Sequence, residues 1–254
     1  MRLSYILAAW RMSVRELLRS RIAVILFFVI PTLFFAIILL TTTHQEIFFK
    51  LASVSEEMFI SVSQREEALV FIGLAAVGLL TSFLAMNLTQ KHAPANRRLV
   101  LCGYRTPELL SSKFLTLAGL IVGIGVYISL LLLLFFQPRR LPLVLLGFIL
   151  AGFVYGCYGL MVGAIFKREL EGILFIVLLA NIDIGWLQNP IYYAEAQNRF
   201  IIRHLPAYFP SQVSMAAAFS EHSVLAPLGG SLVYGSLLLL AAGLVFGWKM
   251  RVKK

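Results

Sequence analysis

Residue types that carry catalytic or metal-binding chemistry are sparse in this sequence, and no familiar pattern joins them. The phosphate-binding loop G-x-x-x-x-G-K-[ST] and the nucleophile motif G-x-S-x-G are both absent, and no apolar segment holds two carboxylates to act as acid and base. The histidines and cysteines also lack the spacing of metal ligands. We therefore expect no metal site, no enzymatic activity and no ATP hydrolysis by this chain itself. The scattered residues are His44, His92, His204, His222, Cys102 and Cys157.

Asp183 is the single acidic residue that falls within the apolar segments of the chain. An ionisable group inside a membrane is a candidate functional group, so Asp183 and the nearby Asn181 are candidates for lining a substrate path. A second interpretation pairs Asp183 with Arg199 or Arg203. The alternative is that Asp183 already lies at the membrane surface and is solvated, with Trp186 beside it as an interfacial anchor.

The composition identifies the solvent of this chain as lipid. Of its 254 residues, 60% are hydrophobic and 13% are charged, and the mean hydropathy is +0.88. Soluble domains carry about 25% charged residues, so this chain has too few polar groups to cover its surface in water. Disordered, collagen-like and disulfide-rich classes are excluded by the same composition. We expect an all-α, multi-pass membrane protein.

Runs of roughly 20 apolar residues, the length that crosses a bilayer as a helix, predict six transmembrane helices. The fifth run is the shortest, and a long stretch with four prolines follows it, which predicts a re-entrant or interfacial segment before the sixth span. We expect one transmembrane domain over 22–254. Its spans are expected at about 22–40, 69–88, 114–136, 143–166, 173–187 and 230–248.

The distribution of basic residues predicts the orientation. With six crossings, 16 of the 22 lysines and arginines lie on the side of the two termini and 6 on the opposite side. Because positive charge stays on the cytoplasmic side, both termini are expected in the cytoplasm and the chain in the inner, or cytoplasmic, membrane. The net charge of +10 then reflects topology and contact with anionic lipid or protein, with no need for a nucleic-acid partner.

Residues 1–21 have the pattern of an amphipathic helix that lies on the membrane surface. At about 100° per residue, seven apolar side chains share a stripe roughly 120° wide, and three arginines form a row along one flank. The alternative is a basic segment that only sets the topology. The stripe consists of Leu3, Ile6, Leu7, Trp10, Val14, Leu17 and Leu18, and the basic row of Arg11, Arg15 and Arg19.

The loop between the second and third spans has its own helix signals. Pro94 suits a first helical turn and Gly103 a left-handed C-terminal cap, so 94–102 is predicted to form a short helix. Thr106 is then expected to cap the next helix, with Glu108 near the positive end of its dipole. This arrangement predicts a docking element held beyond the membrane. The alternative is an ordinary basic loop that obeys the positive-inside rule.

Pairs of glycines at four-residue spacing would allow helices to pack closely in a compact bundle. They say nothing about which face would contact a second subunit. The pairs are Gly119 and Gly123, Gly152 and Gly156, Gly159 and Gly163, and Gly243 and Gly247.

Several motifs are similar to those of a known transporter family. Arg97-Arg98-Leu99-Val100-Leu101 followed by Glu108-Leu109-Leu110-Ser111-Ser112-Lys113 looks like a basic coupling segment and an E-L-L-x-G-K motif, with Ser112 for the glycine. Leu205-Pro206 and Phe209-Pro210 resemble signals that precede a sixth span. With the amphipathic helix and six spans, the whole chain resembles the membrane subunit of an ABC-2 type transporter, also called a type V ABC exporter permease.

The resemblance implies a half-transporter. Two membrane subunits, identical or different, would form the pathway, and two cytosolic P-loop ATPase subunits, which bind ATP and magnesium, would dock beneath them. It implies that this chain binds no cofactor directly. The resemblance assigns ATPase coupling to Arg97, Arg98, Leu99, Gly103, Tyr104, Arg105 and Glu108.

These expectations lead to an exporter of an amphiphilic or hydrophobic substrate, drug-like or lipid-like, with a lipid-linked glycan among the candidates. Two other functions remain open. An ion-coupled secondary carrier would use a titratable site such as Asp183 and would transport without ATP. A non-transporting membrane scaffold or immunity protein would need no ATPase partner.

Overall fold

The computed structural model describes residues 3–19, 21–50, 59–90, 98–189, 192–193 and 196–250, and its architecture is a helical bundle. The helices before residue 140 are α1 (Leu3–Arg19), α2 (Arg21–Thr41), α3 (Gln64–Gln90) and α4 (Thr106–Leu133). Those after it are α5 (Leu141–Ile165), α6 (Glu169–Ile182), α7 (Arg199–Arg203), α8 (Tyr208–Phe219) and α9 (Leu225–Met250). A five-residue π-helix, Asp183–Leu187, continues α6.

The prediction of an all-α membrane protein is confirmed in its main feature. Within the described residues, five helices are long and apolar enough to cross a membrane, and the apolar helix Phe27–Thr41 in the first predicted span is shorter. The fifth predicted span starts earlier than expected, since the continuous helical segment covers Glu169–Leu187. Large apolar side chains line the exposed faces of α6 and α9, such as Leu174 and Leu244, as expected for contact with lipid.

A small β-hairpin interrupts the all-α pattern. Strand β1 (Glu46–Lys50) pairs antiparallel with β2 (Phe59–Ser63), with Glu46 opposite Ser63. Both strands are rich in aromatic and β-branched residues, which favour extended backbone. This hairpin was not predicted from the sequence, and it lies between α2 and α3, outside the predicted spans.

Helix α5 lies at the centre of the bundle, where its glycines allow neighbouring helices to approach closely. A Cβ at Gly156 would lie 2.9 Å from Leu117, and one at Gly163 would lie 2.8 Å from the Met86 carbonyl oxygen. At Gly159 it would collide with the backbone of Ser82. The glycine pairs predicted to promote packing do so on α5.

The two ends of the bundle are defined by the loops that they carry. At one end, the turn at Gly103 and the start of α4 meet the last turns of α3 and α5, because Lys113 donates to the Leu88 carbonyl and Gln90 to the Phe166 carbonyl, the latter at 3.2 Å. We call this end of the bundle the turn end. The opposite end carries the β-hairpin and the connection 134–140 between α4 and α5, and we call it the hairpin end.

Helix α8 is only half as long as its neighbours and lies along the hairpin-end half of α5. The backbone amides of Arg139 and Arg140 donate to the carbonyls of Ala218 and Ala217 at 3.0 and 3.1 Å, so the last turn of α8 meets the first turn of α5. Nearly every residue of α8 is buried. The chain therefore folds back into the bundle between α6 and α9.

Candidate functional site

The predicted docking turn forms a C-terminal cap of the Schellman type around Gly103. The Tyr104 amide donates to the Leu99 carbonyl and the Gly103 amide to the Val100 carbonyl, both at 3.1 Å. Gly103 adopts φ +95°, as the left-handed cap requires. Residues 98–101 are helical and end at this cap. Cys102 already belongs to the turn, and residues 94–97 of the predicted 94–102 helix, including Arg97, lie outside the described residues.

The turn rests on a small apolar cluster that joins four helices at the turn end. Leu99, Val100 and Tyr104 pack against its buried members. The ring of Tyr104 also meets Tyr5 of α1 edge to face, with centroids 4.7 Å apart. The cluster therefore links the turn mechanically to α1, α4, α5 and α9. Its buried members are Ala9, Leu109, Ala164 and Phe246.

The residues assigned to coupling separate into an exposed tip and a buried base. Arg98, Gly103 and Arg105 are exposed, whereas Leu99 and Tyr104 are half-buried against the cluster. Leu101 also points outward and is 72% exposed, although the sequence prediction of coupling residues did not include it. The tip thus offers two cations around an exposed apolar side chain.

The cap of α4 differs from the prediction. Its N-cap residue is Arg105, and Thr106 is already helical, so the prediction that Thr106 caps this helix was wrong. The buried carboxylate of Glu108 accepts a hydrogen bond from the Arg105 amide at 3.0 Å. A carboxylate in this position satisfies a terminal donor and opposes the helix dipole. Glu108 therefore stabilises the turn through the Arg105 backbone and does not belong to its exposed tip.

Helix α1 presents three different faces. The side that packs on the protein contains the buried residues Ala9 and Ser13. The predicted apolar stripe, which includes Trp10 and Leu7, is centred roughly 100° around the helix from that side, and Leu7 is exposed. Arg11, Arg15 and Arg19 are exposed on the third face. The other described side chains of the stripe, Ile6, Trp10, Val14 and Leu17, are half-buried.

Asp183 lies at the other candidate site and is fully buried, with 0% exposure. Its carboxylate accepts hydrogen bonds from the Tyr155 hydroxyl at 2.6 Å, the Gln188 side-chain amide at 2.9 Å and the Ala207 backbone amide at 2.8 Å. The interpretation of Asp183 as a solvated surface residue was therefore wrong. The three donors come from α5, from the residue after the π-helix and from the start of α8.

The residues predicted to act with Asp183 lie elsewhere. Asn181 is exposed and donates to the Val177 carbonyl of its own helix at 2.8 Å. Arg203 donates to the Tyr193 hydroxyl at 3.2 Å, and Arg199 lies over the ring of the same tyrosine, 5.9 Å from its centroid. The structure thus separates Asn181 from Asp183 and places both arginines against Tyr193.

Sequence reasoning missed the partners of Asp183 because they are distant in the chain. Tyr155 is one of many aromatic residues in an apolar span, and Ala207 contributes only a backbone amide. Gln188 gave a weak signal as a polar residue at the end of a span. Its side chain also donates to the Ile202 carbonyl at 3.1 Å, so it joins the π-helix to the segment before α8.

Comparison with known proteins does not place the chain in a family. No family model matches it, and no curated protein matches it.

Proposed function

We propose that this chain is the membrane-spanning permease subunit of an ATP-driven exporter of the ABC-2 type. In this proposal two membrane subunits form the pathway, and cytosolic P-loop ATPase subunits bind at the turn end and bind ATP and magnesium. The observation that carries the proposal is the capped turn at Gly103, which holds Arg98, Leu101 and Arg105 outside the bundle. The motifs around this turn are those that resemble the ABC-2 family.

The turn has the properties that a coupling element needs. Its tip is exposed and cationic, so it can bind an acidic or polar groove of a partner. Its base is packed on the cluster that contacts α1, α4, α5 and α9. A partner that moves the tip would therefore displace four helices together, because close-packed side chains transmit displacement. ATP-driven closure of the partner can in this way favour one packing of the membrane subunits over another.

The distribution of charge supports the orientation that this function requires. With the turn end in the cytoplasm, the exposed arginines of α1 face anionic lipid headgroups and its partly exposed apolar stripe enters the membrane surface. Trp248, 74% exposed near the last turn of α9, lies where an interfacial aromatic residue is expected. The proposed location is the cytoplasmic membrane, and the proposed substrate is amphiphilic or hydrophobic, drug-like or lipid-like.

Co-purification tests the proposal directly. A tagged chain would be extracted from its native cell in mild detergent, and the expected result is a P-loop ATPase in a ratio of about one to one, as family resemblance implies. Reversing the charges of Arg97 and Arg98 to glutamate should remove the ATPase and leave the chain folded. Arg139→Glu is the matched control, because Arg139 is exposed at the opposite end.

Two results would replace the proposal with another function. If the chain purifies alone and carries substrate across proteoliposomes without ATP, it is a secondary carrier. If it purifies alone and carries no substrate, the scaffold or immunity function is favoured. Normal ATPase binding and stimulation in the Arg97 and Arg98 double variant would remove the turn as the coupling site.

A further inference from the structure

Asp183 joins three separate parts of the chain inside the bundle. Its two carboxylate oxygens face three donors, which are the Tyr155 hydroxyl, the Gln188 side-chain amide and the Ala207 amide. An environment of donors matches a carboxylate, because a neutral amide in its place would turn one of its own N–H groups toward another donor. The arrangement of donors therefore favours a group that accepts at both oxygens, as a carboxylate does.

The Asp183 site lies deep in the bundle, and it holds the start of α8 there. Tyr155 lies about 14 residues after Leu141, the first residue of α5, which is a rise of roughly 21 Å along the helix. Asp183 contacts Ala207 at that level, so the start of α8 is held deep in the bundle. The carboxylate also lies at the positive end of the α8 dipole, which favours an anion.

Hydrogen bonds hold α8 and its flanking segments at several other points. The amides of Arg139 and Arg140 bind the last carbonyls of α8, and the Arg140 guanidinium donates to the His222 carbonyl at 2.6 Å. Near the deep end, the Tyr234 hydroxyl of α9 donates to the His204 carbonyl at 3.0 Å. The seat of α8 is thus defined by polar contacts near both of its ends.

The middle of α8 carries small side chains where it approaches α5. Ser214 lies directly against Gly147, where a Cβ would collide with it, and residues 216–218 are all alanine. This close contact is made by small side chains, so no bulky group has to be displaced if α8 moves along α5 in a shear motion. The polar contacts at the ends, and that of Asp183 in particular, therefore fix the position of α8 along α5.

We propose that Asp183 is a positioning residue that seats α8 in the hairpin-end half of the bundle, and that α8 shifts along α5 when that end opens. The seating is independent of any partner. The shift rests on the proposed function, because an exporter must open the hairpin end to release its substrate.

Thiol accessibility tests the seating. Ser211→Cys is a nearly isosteric reporter on α8, since Ser211 is buried and its hydroxyl donates within its own helix to Tyr208 at 2.8 Å. It would be introduced with Cys102→Ser, which removes the exposed native thiol. Labelling with a charged maleimide in lipid nanodiscs should be slow in this parent and about tenfold faster after Asp183→Asn, as expected for loss of a buried hydrogen-bond partner.

Two controls separate a local release from general loosening. Asn181→Ala, two residues away but exposed, should leave the labelling rate of the reporter unchanged. Cys157, the native buried cysteine of α5, should stay unreactive in the Asp183→Asn variant without the reporter. Equal reporter labelling with and without Asp183→Asn would overturn the proposal, and so would parallel labelling of Cys157. If Asp183→Asn does not accumulate, Gln188→Ala replaces it with the same expected direction.

A second measurement tests the shift and distinguishes it from the proposed function. In a complex with the ATPase, the Ser211→Cys label should react faster when ATP is bound than when it is absent. An unchanged rate in a complex that hydrolyses ATP would overturn the shift while leaving the exporter proposal intact. If the chain has no ATPase partner, the exporter proposal and the shift fail together, and the nanodisc experiment still decides the seating.

Discussion

The ring of Tyr5 in α1 meets the ring of Tyr104 in the Gly103 turn edge to face, with their centroids 4.7 Å apart. This contact joins two elements that the sequence predicts separately, the amphipathic helix and the docking turn. Because Ala9 of the same helix is buried in the cluster beneath the turn, α1 and the turn form one unit at this end of the bundle. A partner that binds at the turn, as proposed above, would therefore act on α1 as well.

Truncation of Tyr104 should weaken partner binding without unfolding the bundle. Edge-to-face aromatic pairs contribute about 0.5–1.5 kcal/mol, so Tyr104→Ala should weaken binding of the co-purifying ATPase by about twofold to twelvefold. Quantitative densitometry of the purified complex measures this loss. Tyr192→Ala is the matched control, because Tyr192 is an exposed tyrosine that lies outside the turn and contacts Trp186. Equal loss in both variants would contradict a specific role for Tyr104.

A side chain at Gly103 should destabilise the turn through its backbone alone. Gly103 has φ +95°, and an added Cβ meets no atom within 4 Å, so any cost of Gly103→Ala is conformational and should be about 1–2 kcal/mol. This destabilisation of the turn should appear as faster proteolysis between residues 98 and 106 in the Gly103→Ala variant than in the parent, at constant temperature in detergent. Gly119→Ala is the control, since Gly119 is helical and equally open. That variant should be neutral or slightly more stable.

Removal of the Tyr155 hydroxyl should destabilise the bundle far more than removal of the neighbouring Tyr158 hydroxyl. Tyr155 donates to Asp183 at 2.6 Å, whereas Tyr158 reaches the Phe175 carbonyl at only 3.4 Å. Hydrogen bonds to charged groups contribute about 1.5–3 kcal/mol, so Tyr155→Phe should lose about this much free energy of unfolding. Thermal denaturation in detergent compares the two variants. A Tyr158→Phe variant as unstable as Tyr155→Phe would show that the Asp183 contact is not special.

A methyl group at Gly159 should force α3 and α5 apart. The added Cβ would collide with the backbone of Ser82, which cannot move aside as a flexible side chain can. Overpacking of this kind costs about 1–3 kcal/mol, so Gly159→Ala should lower the melting temperature clearly. Gly247→Ala is the control, because Gly247 is open on every side within 4 Å. An unchanged melting temperature for Gly159→Ala would contradict the close contact of these two helices.

Local signals in the sequence were sufficient to predict the Gly103 turn. The left-handed cap depends on residues 99–104 alone, so glycine in that position indicated both the end of the short helix and the left-handed backbone. The precise cap of α4 was missed, because Thr106 and Arg105 differ by a single position at a helix end. Boundaries of this kind depend on competition among several caps, and here the carboxylate of Glu108 binds the Arg105 amide.

The amphipathic pattern of α1 was visible in the sequence, but the side that packs on the protein was not. Periodicity locates the apolar stripe and the basic row, because both depend only on the helix repeat. The protein-facing side consists of small residues, Ala9 and Ser13, which give little hydrophobic signal. A small residue becomes important only when another element approaches it closely.

Apolar length, helical period and turn chemistry are local properties, so the sequence already indicates a helical membrane protein with an amphipathic first helix and a capped turn. The burial of Asp183 could not be predicted in this way. Burial is a property of the whole bundle, and the carboxylate is stabilised there by donors brought from α5 and α8, distant in the chain. The same non-local packing explains why a Cβ would collide with a neighbouring helix at Gly159 but would meet no atom within 4 Å at Gly119.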